Sequence, residues 1–162
     1  MQVSAKVDYG MRALLVLAEA FEADPTKLTK GDAIAKAQAI PLKFLEGILT
    51  ELRNAGFIFS QRGAVGGYRL SRSPEKINLA ELIRVLDGPL AAVRGLRPER
   101  VSYEGAAKDL QSVWVGIRVA LRSILENVTL ADVVSGKFPK ELTQLLDQPD
   151  AWVSRPAYEG NV

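Results

Sequence analysis

The sequence predicts a mainly α-helical fold with one small β-hairpin: a winged helix-turn-helix unit followed by a long dimerisation helix. Three features of the chain predict it. A short and a longer amphipathic segment are separated by the three residues Ala39-Ile40-Pro41. Two short β-rich runs then flank a seven-residue stretch holding Gly63, Gly66 and Gly67. Further on, Leu110, Trp114, Ile117, Leu121, Ile124 and Val128 recur at steps of four and three, the spacing of a heptad seam.

Each element has a local reason. Val7, Met11, Leu14, Leu15 and Ala18 lie on one face of a helix running from about Ser4 to Ala23, and Asp24-Pro25 ends it. Thr29 with Asp32 reads as a capping box opening a helix from Lys30 to Gln38. Pro41 suits the first residue of the next helix, with Phe44, Leu45, Ile48, Leu49 and Leu52 as its buried face. Gly56 stands where a helix-ending glycine belongs. The strands are 57–60 and 68–71, with a glycine-rich tip between them and Pro74 closing the hairpin. Asn78 with Glu81 starts another short helix, whose apolar face is Leu79, Leu82, Ile83 and Leu86. Gly95, Pro98 and Gly105 mark an irregular segment. After the seam, Thr129 and Asp132 cap another turn or two, and Lys140–Leu146 forms a last short helix.

The resulting organisation is a winged helix-turn-helix domain over 1–88, an irregular linker over 89–105, a dimerisation helix with a short C-terminal helix over 106–148, and a flexible tail over 149–162. The seam fits packing within the chain or pairing with a second copy, and the second is favoured because few partners remain for such a helix.

Composition removes whole chemistries. The chain has neither cysteine nor histidine. Disulfides, thiolate nucleophiles, Cys/His zinc sites, cysteine-held iron–sulfur clusters and imidazole-based triads are therefore excluded. No carboxylate pair stands at catalytic spacing, so an enzyme is not expected. The N-terminus lacks the shape of a secretory signal and the apolar runs are too short to span a bilayer, so the expected location is the cytoplasm with no membrane partner.

Net charge is only +2, but it is unevenly placed. Residues 1–80 hold 11 Lys and Arg against 8 Asp and Glu, and residues 81–162 hold 10 against 11. Arg53, Arg62, Arg69 and Arg72 fall in a stretch without an acid. A helix sized for the major groove beside a basic hairpin fits double-stranded DNA. The alternative is a winged-helix protein-interaction module that has lost specific DNA binding. The glycines do not make a nucleotide loop, because Tyr68-Arg69 follows where a P-loop needs Lys and Ser or Thr.

Several runs resemble the Rrf2 family of bacterial transcription regulators. They are Ser4-Ala5-Lys6-Val7-Asp8-Tyr9, Ile40 to Glu46, Leu52-Arg53-Asn54-Ala55-Gly56, Ser60 to Leu70, and Thr129 to Val133. The resemblance covers roughly residues 1–135 and implies a homodimeric regulator, usually a repressor, that binds a pseudo-palindromic operator. It implies that Leu42, Lys43, Phe44 and Glu46 meet the major groove, with Glu46 as the residue for base discrimination. By the same likeness Arg62 enters the minor groove or grips phosphate, Tyr9, Arg53, Tyr68 and Arg69 support phosphate contacts, and Gly66 and Gly67 of the wing count among the DNA-binding residues. The long helix, with Leu110, Trp114, Ile117, Leu121, Ile124 and Val128, would form the dimer interface. Cluster-binding members carry three cysteines between the short and long helices, where residues 90–104 here have none. The expectation is therefore a cluster-free member with no cofactor. Its effector, small molecule or protein, is unknown, and the 89–105 segment is either a sensor or a connector.

Overall fold

The computed structural model describes residues 2–153. Seven helices and one hairpin are described: α1 (Ala5–Ala23), α2 (Gly31–Gln38), α3 (Leu42–Asn54), β1 (Ile58–Gln61), β2 (Gly67–Leu70), α4 (Leu79–Leu86), α5 (Leu110–Leu125), α6 (Leu130–Ser135) and α7 (Lys140–Leu146). The mainly helical fold with a two-stranded wing is as the sequence predicts.

Helix α1 runs through the centre. Ser4 caps it, its hydroxyl oxygen accepting the Val7 N–H at 3.1 Å. Its buried face, including Val7, Leu14, Leu17 and Ala18, meets Ile34, Leu45, Ile48, Leu49, Leu52, Leu82 and Leu130 from the surrounding helices. Helix α3 ends in a full Schellman motif. The Gly56 N–H donates to the Arg53 carbonyl at 3.0 Å, and the Phe57 N–H reaches back to the Leu52 carbonyl at 2.9 Å. Gly56 has φ +78° there, and the buried Phe57 and Leu52 side chains supply the accompanying apolar contact. That turn sets the direction in which the hairpin leaves the helix.

The strands pair antiparallel, Ile58 opposite Leu70 and Gln61 opposite Gly67. Ile58 and Leu70 are buried, so this face of the hairpin sits on the core. Thr29 extends the sheet by one bridge. Its N–H donates to the Tyr68 carbonyl at 2.9 Å, and the Tyr68 N–H donates to the Thr29 carbonyl at 2.8 Å. This overturns the capping-box expectation. Lys30, not Thr29, precedes α2 and gives no side-chain cap, while the Asp32 carboxylate accepts from Ala33 N–H. The backbone of Thr29 belongs to the sheet, and its hydroxyl is buried without a partner. The two later caps hold: Asn78 accepts from Glu81 N–H, and Thr129 with Asp132 forms a complete capping box.

Beyond residue 88 the chain does not leave the winged-helix unit for good. Val93 and Leu96 form a tiny hairpin across Arg94 and Gly95, which have φ +52° and +78°. The turn Pro98–Arg100 packs on α5, and the Trp114 indole N–H donates to the Tyr103 hydroxyl at 3.0 Å. After α5 the chain returns. Leu79 N–H donates to the Val128 carbonyl and Leu130 N–H to the Ile77 carbonyl, both at 3.0 Å, and α6 packs on α1. Val128 is consequently 2% exposed, inside the chain's own core. That corrects its place on the dimerisation seam, because α5 stops at Leu125 and the next residues turn back. In α5 itself no residue is fully buried. Ile117 is 43% exposed, while Leu110, Trp114, Leu121 and Ile124 are half-buried. Of the expected tail, 149–153 forms a turn in which the Trp152 indole donates to the Leu146 carbonyl, and 154–162 lies outside the described residues.

Candidate nucleic-acid interface

Helices α2 and α3 are joined by Ala39, Ile40 and Pro41. Ala39 takes the left-handed conformation at φ +51°, and Ile40 is buried, its N–H donating to the Ala35 carbonyl at 2.9 Å. These three residues fix the angle between the two helices. The face of α3 that results is divided cleanly. Leu45, Ile48, Leu49 and Leu52 are buried, while Leu42, Lys43, Phe44 and Glu46 are exposed.

Phe44 therefore does not belong to the core face. It is 62% exposed and meets the Tyr9 ring edge-on, with centroids 6.4 Å apart. The Arg12 guanidinium covers Tyr9 at 5.5 Å and is itself held by Asp8 at 3.0 Å and by the Gln38 carbonyl. The structure thus brings Tyr9 to the start of α3. Glu46 is exposed and has no ion-pair partner among the described residues.

The wing lies beside this face. Lys30, Arg53, Arg62 and Tyr68 line one open groove together with Gly63, Ala64, Gly66 and Gly67. Three cations and no acid face it, a suitable setting for a phosphate. Nothing in the sequence singles out Lys30. It sits before α2, and only the Thr29–Tyr68 bridge carries it to the wing.

The other basic residues are split off. Arg69 is on the opposite face of the hairpin from Tyr68 and stacks over Phe59, 4.6 Å from the ring centroid. Arg72 lies over Phe57 and pairs with Glu81, so it adds little free charge. The basic stretch of 53–72 is therefore two groove-lining arginines, one stacked arginine and one paired arginine.

Gly66 and Gly67 are required by close approach. A Cβ at Gly66 would stand 2.2 Å from the Gln61 carbonyl oxygen, and one at Gly67 2.7 Å from that of Thr29. Both clashes are with backbone, which cannot rotate away. Their part in the wing is to let it fold back on itself and onto Thr29.

A helix-turn-helix flanked by a glycine-rich hairpin on a central helix defines a winged-helix protein. Residues 3–136 match the Rrf2 family, described as an iron-dependent transcriptional regulator. The chain belongs to that family, which is one of transcriptional regulators rather than enzymes. A Mycobacterium tuberculosis protein provisionally named as an HTH-type transcriptional regulator is 42% identical over 147 residues, 91% of this chain and 89% of that one. The structure of CymR, the global cysteine regulator of Bacillus subtilis, superposes with a TM-score of 0.70 at 34% identity, covering 85% of this chain and 98% of CymR. The IscR structure of T. potens gives 0.66 at 29% identity, covering 89% and 96%. No described helix is long and apolar enough to cross a membrane.

The family description names iron, so the donor set matters. This chain offers no thiolate and no imidazole. Among the described residues no three carboxylates converge. The residues present do not fit an iron–sulfur cluster, whose irons need soft thiolate ligands.

Proposed function

We propose that the protein is a homodimeric, sequence-specific double-stranded DNA-binding regulator, acting as a repressor and without an iron–sulfur cluster. The observation that carries the DNA reading is the exposed start of α3 beside a groove lined by Lys30, Arg53 and Arg62. On this reading the exposed Leu42, Lys43 and Glu46 meet base edges in a major groove, and a carboxylate such as Glu46 accepts from cytosine N4. The wing groove takes a flanking phosphate. The second copy is supported by α5, a 16-residue helix with no fully buried residue. Its Trp114, Ile117 and Leu121 line a largely apolar groove of about 420 Å³. A two-fold pair would present two α3 helices to half-sites about one DNA turn apart. Repression rests on the family resemblance, and operation without a cluster on the missing donors.

Genomic fragments retained by the protein would supply the operator. Fluorescence anisotropy of a labelled duplex of about 20–30 base pairs then measures affinity against salt. We expect Arg53→Ala/Arg62→Ala to weaken binding and to lower the salt slope by about 0.9 for each phosphate no longer neutralised. An unchanged slope removes the wing from the interface. No preference for recovered fragments over random duplex refutes sequence-specific binding and favours the protein-interaction alternative.

A further inference from the structure

We propose that the basic cavity between α4, the 88–99 segment and α5 is a binding site for a small dianion, a dicarboxylate or a phosphate. Arg84, Arg97, Arg118 and Arg122 line it with Glu99, around the backbone of Gly88 to Ala91. Glu126 stands at its edge, paired with Arg84. With that acid counted, the charged groups carry a net +2.

Both acids are committed. Glu99 accepts from Arg118, and Glu126 accepts from Arg84. Arg122 reaches Glu126 only at 3.8 Å, and Arg97 has no ion-pair partner among the described residues. Two guanidinium charges are left over, facing a cavity of about 250 Å³. Arg118 is the most enclosed of the paired cations, its side chain 13% exposed. Its Nε–H is buried with no acceptor. A buried donor without an acceptor is unfavourable, and an oxyanion oxygen would satisfy it. Guanidinium forks match carboxylate and phosphate oxygens in pairs, which a lysine cluster would not do. The Glu99 carboxyl is held below its ordinary range, first by its own backbone N–H and then by Arg118, with Arg97 adding to the positive surroundings.

The cavity is smaller than a typical drug-sized pocket, which favours a compact ligand over a nucleotide. Its walls come from two parts of the molecule: Arg84 from α4, under the DNA-reading unit, and Arg118 and Arg122 from α5. It shares no lining residue with the wing groove. An anion here would tie α4 to α5, in the position of an effector. The inference does not depend on DNA binding.

The test is calorimetric titration of the full chain with succinate and with inorganic phosphate, at a pH where both are dianions. Sodium chloride at matched ionic strength and sodium acetate serve as controls. We expect saturable binding of one dianion and neither control, weakened at least about tenfold in Arg97→Gln/Arg122→Gln. Succinate alone identifies a dicarboxylate site, and phosphate alone a phosphate site. Arg97→Gln by itself breaks no ion pair and guards against misfolding of the double variant; it too must weaken binding. No saturable binding of either dianion, or wild-type affinity in the variants, overturns the proposal.

Discussion

Gly67 lets the wing close onto Thr29, and Gly67→Ala tests why a glycine is needed there. An added methyl would stand 2.7 Å from the Thr29 carbonyl oxygen and 2.9 Å from its carbon. Both atoms are backbone, so β2 and the residues before α2 must separate. That separation breaks the paired hydrogen bonds between Thr29 and Tyr68, of 2.9 and 2.8 Å. At a net contribution of about 1 kcal/mol each, their loss destabilises the fold by about 2 kcal/mol. Gly67 also has φ +156°, which alanine adopts only with strain of about 1 kcal/mol. The expected total is about 3 kcal/mol, or a thermal midpoint lower by about 6–12 °C for a chain of this length.

Circular dichroism measures the midpoint, and native-state amide exchange at Tyr68 reports the bridge itself. Gly63→Ala is the matched control. Gly63 has φ +102°, but a methyl there meets nothing within 4 Å. It should lower stability by only the backbone strain, about 1 kcal/mol. If Gly67→Ala leaves both the midpoint and Tyr68 protection as in the wild type, close approach to Thr29 is not what the glycine provides. Equal losses in the two variants would likewise leave strain as the only effect.

Three further outcomes follow from the packing. If the proposed dimer forms through α5, Ile117→Asp should shift sedimentation from dimer to monomer while preserving helical content, whereas Val128→Asp should unfold the chain at any concentration, because only Val128 is enclosed by its own fold. Ala39→Gly should raise stability by up to about 1 kcal/mol in urea denaturation, since Ala39 sits at φ +51°, and a value below the wild type would show that the turn is not strained. Glu99 should titrate below its ordinary range by NMR, with any stability it contributes present above that ordinary range and lost as pH falls through the lowered value; Arg118→Gln should move the titration upward.

Most of the winged-helix unit was legible because its signals are local. Gly56 needed only its own turn, and Asn78 and Thr129 cap residues three positions away. Failures came where distant segments compete for the same group. Thr29 and Asp32 have capping-box spacing, yet Tyr68, thirty-nine residues on, captures the Thr29 backbone. Phe44 is apolar and adjacent to the buried stripe, but on a helix one residue is a turn of about 100°, enough to carry it to the outer face. Val128 fits a heptad by count, and the helix ends three residues before it. Arg72 looked like part of an unpaired basic run because its partner Glu81 lies beyond a turn at Pro74. Lys30 was invisible as a site residue for the converse reason, since nothing near it in sequence predicts the wing.

What holds α5 to the rest of the chain bears on how such a protein would respond to a signal. Its polar ties include Arg118 to Glu99, Glu126 beyond its end to Arg84, Gln111 to the Pro98 carbonyl, and Trp114 to Tyr103. Glu99 and Glu126 are both well exposed, so solvent screens these ion pairs and each contributes little to stability. Fully burying one Leu or Ile side chain contributes about 1.5–3 kcal/mol. On the proposed dimer, completing the burial of Ile117 and its half-buried neighbours therefore outweighs the ion pairs as the source of α5's stability. The ion pairs are left to set its angle relative to α4. That division leaves the angle adjustable, because little free energy opposes a change in the arginine pairing while the apolar seam keeps the two copies together. A dianion bound among Arg97, Arg118 and Arg122 would act on the weaker set of contacts, and so could reposition the α3 helices without dissociating the dimer.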